Sequence, residues 1–248
     1  MAGFGGLAAL PRRRAAQSRE RAALRESNAG RHDRAVLLAE AGVARCRPIG
    51  ERWPASLGRV LAIHAYCLHR AGRDDEQAAN ESYGWCRKAT SAKATAEVTR
   101  AAFFLAAAGY REAGYRLVEQ ALTAARPVGG VELGRAYTEL ARHLLMHNSP
   151  EDALLALREA ESVLPEWRTA RMDTVLLLFR ALGDTGRYDE LREHCDRWLA
   201  LVRLNSRFQL RREYPLLLGA LRVYWTAAGD DERLEQVRAL TAKADLSG

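Results

Sequence analysis

One short signature recurs six times along the 248 residues, and it limits the chain to very few folds. A small residue is followed by Gly, one or two polar or aromatic residues, and then an acid. The copies are Asn28-Ala29-Gly30-Arg31-His32-Asp33, Arg70-Ala71-Gly72-Arg73-Asp74-Asp75 and Ala107-Ala108-Gly109-Tyr110-Arg111-Glu112. They continue as His147-Asn148-Ser149-Pro150-Glu151-Asp152, Asp184-Thr185-Gly186-Arg187-Tyr188-Asp189 and Ala227-Ala228-Gly229-Asp230-Asp231-Glu232. The turn positions 30, 72, 109, 148, 186 and 229 lie 42, 37, 39, 38 and 43 residues apart. Asn148 replaces Gly in the fourth copy, and Asn is the next residue to accept the left-handed conformation of a helix C-cap. The acids that follow suit the positive end of a new helix.

Each signature separates two stretches of helical period. Val175, Leu178, Phe179 and Leu182 form an i, i+3, i+4, i+7 stripe before Gly186. Ala153, Leu154, Leu157, Ala160 and Glu161 follow Asn148 with helical spacing, and Pro165 closes the hairpin. The pattern predicts twelve helices in six antiparallel pairs. The expected spans are 12–29 with 31–46, 53–71 with 74–90, and 92–108 with 110–125. The others are 130–147 with 149–163, 166–184 with 187–203, and 207–228 with 230–244. One hairpin cannot bury its apolar face alone, whereas stacked hairpins share a continuous core. The expectation is therefore all-α: a flexible N-terminus over 1–11, then a single solenoid over 12–248.

Abundant Ala, Leu, Arg and Glu favour helix. The formal net charge is +7, and residues 12–26 hold six Arg against two Glu, more than half of that excess. Such a helix can meet nucleic acid, an acidic partner or an anionic membrane, or form a solvated face. No apolar run reaches the roughly 18 residues that span a bilayer. Met1 reads as a natural start, and the positive charges follow the first apolar stretch, the reverse of a secretory signal. Cys46, Cys67, Cys86 and Cys195 form no CxxC pair and read as buried hydrophobes. Together these features predict a cytoplasmic protein with no membrane role.

The chain resembles the tetratricopeptide-repeat superfamily. The fourth repeat carries this best, with Tyr137, Leu140, Ala141 and Leu144 in its first helix. Pro150-Glu151-Asp152-Ala153 stand at its turn, and Leu157, Ala160 and Pro165 in its second helix and exit. Gly30, Ala35 and Ala39 fit in the first repeat. Gly114, Leu191 and Leu234 stand where the family usually has Ala, and Trp198 and Thr241 also depart from its pattern. Steps near 40 exceed the family's usual 34. They resemble the long-repeat helical sensor and interaction domains of bacterial regulators and signalling ATPases. The resemblance implies a right-handed α-solenoid whose first helices line a concave groove.

Catalytic signatures are missing: there is no HExxH, GxSxG, Walker or EF-hand pattern. Gly3-Phe4-Gly5-Gly6 follows no strand. His143 and His147 share a helical face without a supporting ligand, and His194-Cys195 reads as core. Trp53, Trp85, Trp167, Trp198 and Trp225 could stack bases or ligands, but solenoid aromatics usually fill the wedge between hairpins, and Trp85, Trp198 and Trp225 lie on apolar stripes and read as core. No catalytic residue, metal or cofactor is expected.

The implied groove gathers Tyr66, Phe103, Arg142 and Arg180 in one row, with Arg59, Arg100, Arg135 and Glu139 in a row before it. Arg and Tyr dominate binding hot spots, and a guanidinium gives a carboxylate two hydrogen bonds. The expected function is a protein- or peptide-binding module that takes an acidic segment or a C-terminus in this Arg-rich groove. Two alternatives stay open: a nucleic-acid-associated regulator using the basic N-terminal helix and the groove, and an enzyme on a helical scaffold.

Overall fold

The computed structural model describes residues 5–164, 169–204 and 214–245, with side chains at 10–164, 171–204 and 214–242. Among the described residues there are twelve α-helices and no strand. They are α1 Gly5–Asn28, α2 His32–Cys46, α3 Pro54–Arg70, α4 Glu76–Arg87, α5 Thr95–Ala107 and α6 Arg111–Ala125. The remainder are α7 Gly130–Met146, α8 Pro150–Val163, α9 Thr169–Asp184, α10 Tyr188–Leu204, α11 Tyr214–Ala228 and α12 Asp231–Asp245. Short 3-10 turns at Arg47–Ile49 and Ala92–Ala94 lead towards α3 and α5. The main departure from the periodicity is at the start, where α1 begins at Gly5 rather than Arg12. Pro165, Trp167, Gly3, Phe4 and the expected helix starts at 166 and 207 lie outside the described residues.

The recurring signature has one structural cause. Gly30, Gly72, Gly109, Asn148, Gly186 and Gly229 all have positive φ, between 58° and 97°. Asn148 is the one non-glycine with positive φ among the described residues. At each turn the following residue donates its backbone N–H five residues back, as Arg31 does to Glu26 and Ser149 does to Leu144 at 2.9 Å. That closure satisfies carbonyls the ending helix leaves open. Every second helix then carries an acid in its first turn, from Asp33 in α2 to Asp231 in α12.

The chain divides into two compact units, residues 1–143 and 144–248. In the first, α1, α3 and α5 lie side by side, and each packs against its own second helix. Its core is built largely of Ala, Leu and Val, with Ile63 and Leu105 fully buried. Ala136 brings α7 onto that core, flanked by Leu133, Tyr137 and Leu140. A neighbouring cluster joins Ala16, Val43, Cys46 and Leu57, with Trp53 and Trp85 against it. Trp85 is half-buried there, and the Lys88 amine sits 3.8 Å over its ring.

In the second unit, α9 packs on α8 and α10, and α11 on α12. Trp198 and Trp225 are fully buried, as their apolar stripes require. Arg233 braces this core by stacking 5.0 Å over Trp225 while bonding Asp196 at 2.5 Å and Asp230 at 2.7 Å.

All four cysteines are free and buried. Burial pushes the Cys46 and Cys67 thiols up to about 11 and Cys86 to about 12. Since the thiolate is the reactive form, none should react with a disulfide reagent at pH 8 while folded. Ellman titration should count no fast thiol in buffer and all four in denaturant.

Candidate binding face on the first helices

Seven of the eight expected groove residues sit on first helices of the first unit. Arg59 and Tyr66 lie on α3, Arg100 and Phe103 on α5, and Arg135, Glu139 and Arg142 on α7. Arg180 lies on α9 in the second unit. Side-by-side packing of α3 with α5 gives residues near the ends of these helices a common face.

That face has two tiers. The lower one is buried and ion-paired. Arg59 bonds Glu20 of α1 at 2.9 Å, and both are less than a tenth exposed. Arg13 of α1 reaches Glu97 of α5, which also accepts from the Ser56 hydroxyl at 2.6 Å. The Arg13 guanidinium stacks 4.5 Å over Trp53. Burial raises the Glu20 carboxyl above its ordinary range, opposed by the charges of Arg59 and Arg100. Arg59 therefore fastens α3 to α1 beneath the surface.

The upper tier is an aromatic strip covered by guanidiniums. Tyr66 and Phe104 have ring centroids 5.4 Å apart, and Phe103 meets Phe104 edge-on at 5.1 Å. Arg70 lies 5.9 Å over Tyr66, Arg100 5.7 Å over Phe104, and Arg142 5.3 Å over Phe103. Each contact holds a cation against a ring face. Arg142 also bonds Glu139 at 3.2 Å, and Arg135 bonds Glu132 at 3.3 Å. Arg180 is exposed and pairs with Asp184 at 3.4 Å on its own helix.

Sequence reasoning missed Arg70 and Phe104. Arg70 follows Tyr66 by four residues, the spacing that places two side chains on one helical face. Phe104 was concealed by its neighbour Phe103, because only one of two adjacent residues fits a single-row count. The carboxylates Glu20 and Glu97 carried no local signal.

The remaining chemical candidates separate. His143 is fully buried, 3.7 Å from Glu139, whereas His147 is exposed beyond the end of α7. Among the described residues no three His, Cys, Asp or Glu side chains gather as metal ligands would. Cys195 is buried, and desolvation together with Asp196 pushes its thiol up, away from the thiolate a nucleophile needs. No helix among the described residues is long and apolar enough to cross a membrane.

The hairpins with their left-handed turns define a helical-repeat protein. Comparison with solved structures gives the kind of repeat. A variant of a candidate kinesin light chain of Podosopora anserina, with nearly identical TPR-like repeats, is 20% identical with a TM-score of 0.53. That match covers 94% of this chain and 97% of the other. BtubC (BKLC) from P. vanneervenii is 15% identical with a TM-score of 0.59, covering 86% of this chain and 89% of its own. The chain thus has the all-α TPR-like repeat fold. No family model matches it, and no curated protein matches it.

Proposed function

We propose that this protein is a binding scaffold without chemistry of its own, and that the strip on α3, α5 and α7 holds an acidic segment or C-terminus of a protein partner. The observation that carries this reading is the row of three guanidiniums, Arg70, Arg100 and Arg142, each laid over an aromatic ring. A guanidinium keeps its N–H donors in its own plane, where an incoming carboxylate would compete with the Tyr66 hydroxyl for Arg70 and with Glu139 for Arg142. The half-buried Tyr66 and Phe103 rings add apolar contact area, while Phe104 is buried and supports them from the core. Arg135, Arg142 and Glu139 form the α7 side of the site, and Arg59 supports it from below. Four free thiols suit a reducing compartment, hence the cytoplasm.

Fluorescence anisotropy with a labelled ten-residue Asp/Glu-rich peptide, beside its Asn/Gln counterpart, tests the proposal. The acidic peptide should bind at least about tenfold tighter, a difference of about 1.4 kcal/mol. Arg135→Ala combined with Arg142→Ala should remove most of that binding and leave the helical spectrum unchanged. Equal binding of the two peptides would sink the idea. A labelled single-stranded oligonucleotide supplies the contrast, because Arg12, Arg14, Arg19, Arg21 and Arg25 are exposed on α1. Oligonucleotide binding that falls steeply with log salt and outcompetes the peptide would move the function to nucleic acid.

A further inference from the structure

The second unit holds an open groove of about 690 Å³ between α9, α10 and α11. Leu176 and Phe179 face it from α9, Leu191 from α10, and Ala220 and Val223 from α11. Val223 is 67% exposed at the rim of the groove. Among the described residues that line the groove, Arg180 is the one charged at neutral pH. The hydroxyls of Tyr188 and Tyr224 are the other polar side-chain groups.

Gly219 explains why the groove is open. It lies inside α11, where Gly costs about 1 kcal/mol relative to Ala. Gly58 and Gly114 have a packing reason, since a Cβ on Gly58 would strike Cys86 and one on Gly114 would strike Ala102 and His143, whereas Gly84 and Gly183 face open space as Gly219 does. Nothing lies within 4 Å of a Cβ placed on Gly219. Its missing side chain widens the groove and serves no helix contact.

We propose that this groove binds a carboxylate with an extended apolar body, a medium-chain fatty acid, with its chain along α9 and α11 and its head group at Arg180. The volume falls in the range of small-molecule sites, and their usual make-up is an apolar lining with a few orienting polar groups. Charge complementarity selects an anion. Among the described residues Arg180 pairs with exposed Asp184 at 3.4 Å, a surface pair that exchanges at little cost. No Asn, Gln, Ser or Thr is among the described lining residues. An extended peptide would bury backbone N–H and C=O groups there without partners, whereas a hydrocarbon chain carries none.

Isothermal titration with decanoate, decanol and acetyl-Leu-Phe tests the assignment on the full chain. Decanoate should bind saturably, at least about tenfold tighter than decanol. Gly219→Leu fills the groove from a position with free space and should weaken decanoate at least tenfold without loss of helical signal. Arg180→Gln, on the surface, should bring decanoate to the level of decanol. A wild-type protein that takes decanol as well as decanoate overturns the proposal. So does a Gly219→Leu protein that binds decanoate undiminished, or acetyl-Leu-Phe binding more tightly than decanoate. The site is independent of the strip on α3, α5 and α7, so failure of either proposal leaves the other standing.

Discussion

Replacing Arg59 with Ala should cost about 3–5 kcal/mol of stability at pH 7, the usual penalty for stranding one partner of a buried ion pair. Glu20 would keep its place, 4% exposed, without its 2.9 Å cation. In a protein of this size the melting temperature should fall by about 10 °C. The loss should depend on pH in a definite direction. The folded state already raises the Glu20 carboxyl above its ordinary 4.5, because burial outweighs the attraction of Arg59 and Arg100. A carboxyl raised on folding favours the folded state fully below its unfolded value, and that contribution is lost as pH rises through the folded one. Removing Arg59 moves the folded value further up. The deficit of Arg59→Ala should thus be largest near pH 7 and shrink as the carboxyl protonates towards pH 5. Thermal melts across this range check the slope, and a deficit independent of pH would refute the assignment. Glu20→Leu combined with Arg59→Met should recover most of the lost stability, since an apolar pair needs no desolvation of charge.

Gly58→Ala should also destabilise the fold, although the change is one methyl group. The new Cβ would lie 2.4 Å from Cys86 Sγ, 3.0 Å from the Cys86 nitrogen and 3.1 Å from the Ser82 carbonyl oxygen. Two of those atoms are backbone, so α3 and α4 must move apart. That movement would also strain the bond from the Ser82 hydroxyl to the Gly58 carbonyl, 2.7 Å long. Overpacking of this kind costs about 1–3 kcal/mol, and it must also overcome the roughly 1 kcal/mol that Ala gains over Gly in a helix. A net loss of about 1 kcal/mol, and at most about 2, is expected in urea melts. Gly84→Ala, in the partner helix with nothing within 4 Å, is the matched control and should raise stability slightly.

The fold is legible in the amino-acid sequence where the controlling physics is local. A helix C-cap needs a left-handed residue at one position, so six turns could be located from six short words, including the one spelled with Asn148. Amphipathic period then filled in the helices between them. Site residues depend on contacts far along the chain, and there the reading thinned. Arg59 looks like any groove arginine until Glu20, 39 residues earlier, is placed beside it. Gly114 looked like a lapse from a repeat pattern that usually has Ala. In the fold, a Cβ there would come within 2.7 Å of both the Ala102 carbonyl oxygen and the His143 ring. The departure is required by a buried histidine 29 positions later, which no single-repeat comparison contains.

The contact from Arg13 to Glu97 joins helices 84 residues apart and passes over α3 to do so. An array whose layers touch only their neighbours unravels from its ends, each layer opening with its own free energy. A bond from the first helix to the fifth couples those openings. Native-state hydrogen exchange should then show the amides of α1 opening together with those of α3 and α5, so that this end of the chain behaves as one foldon and resists fraying.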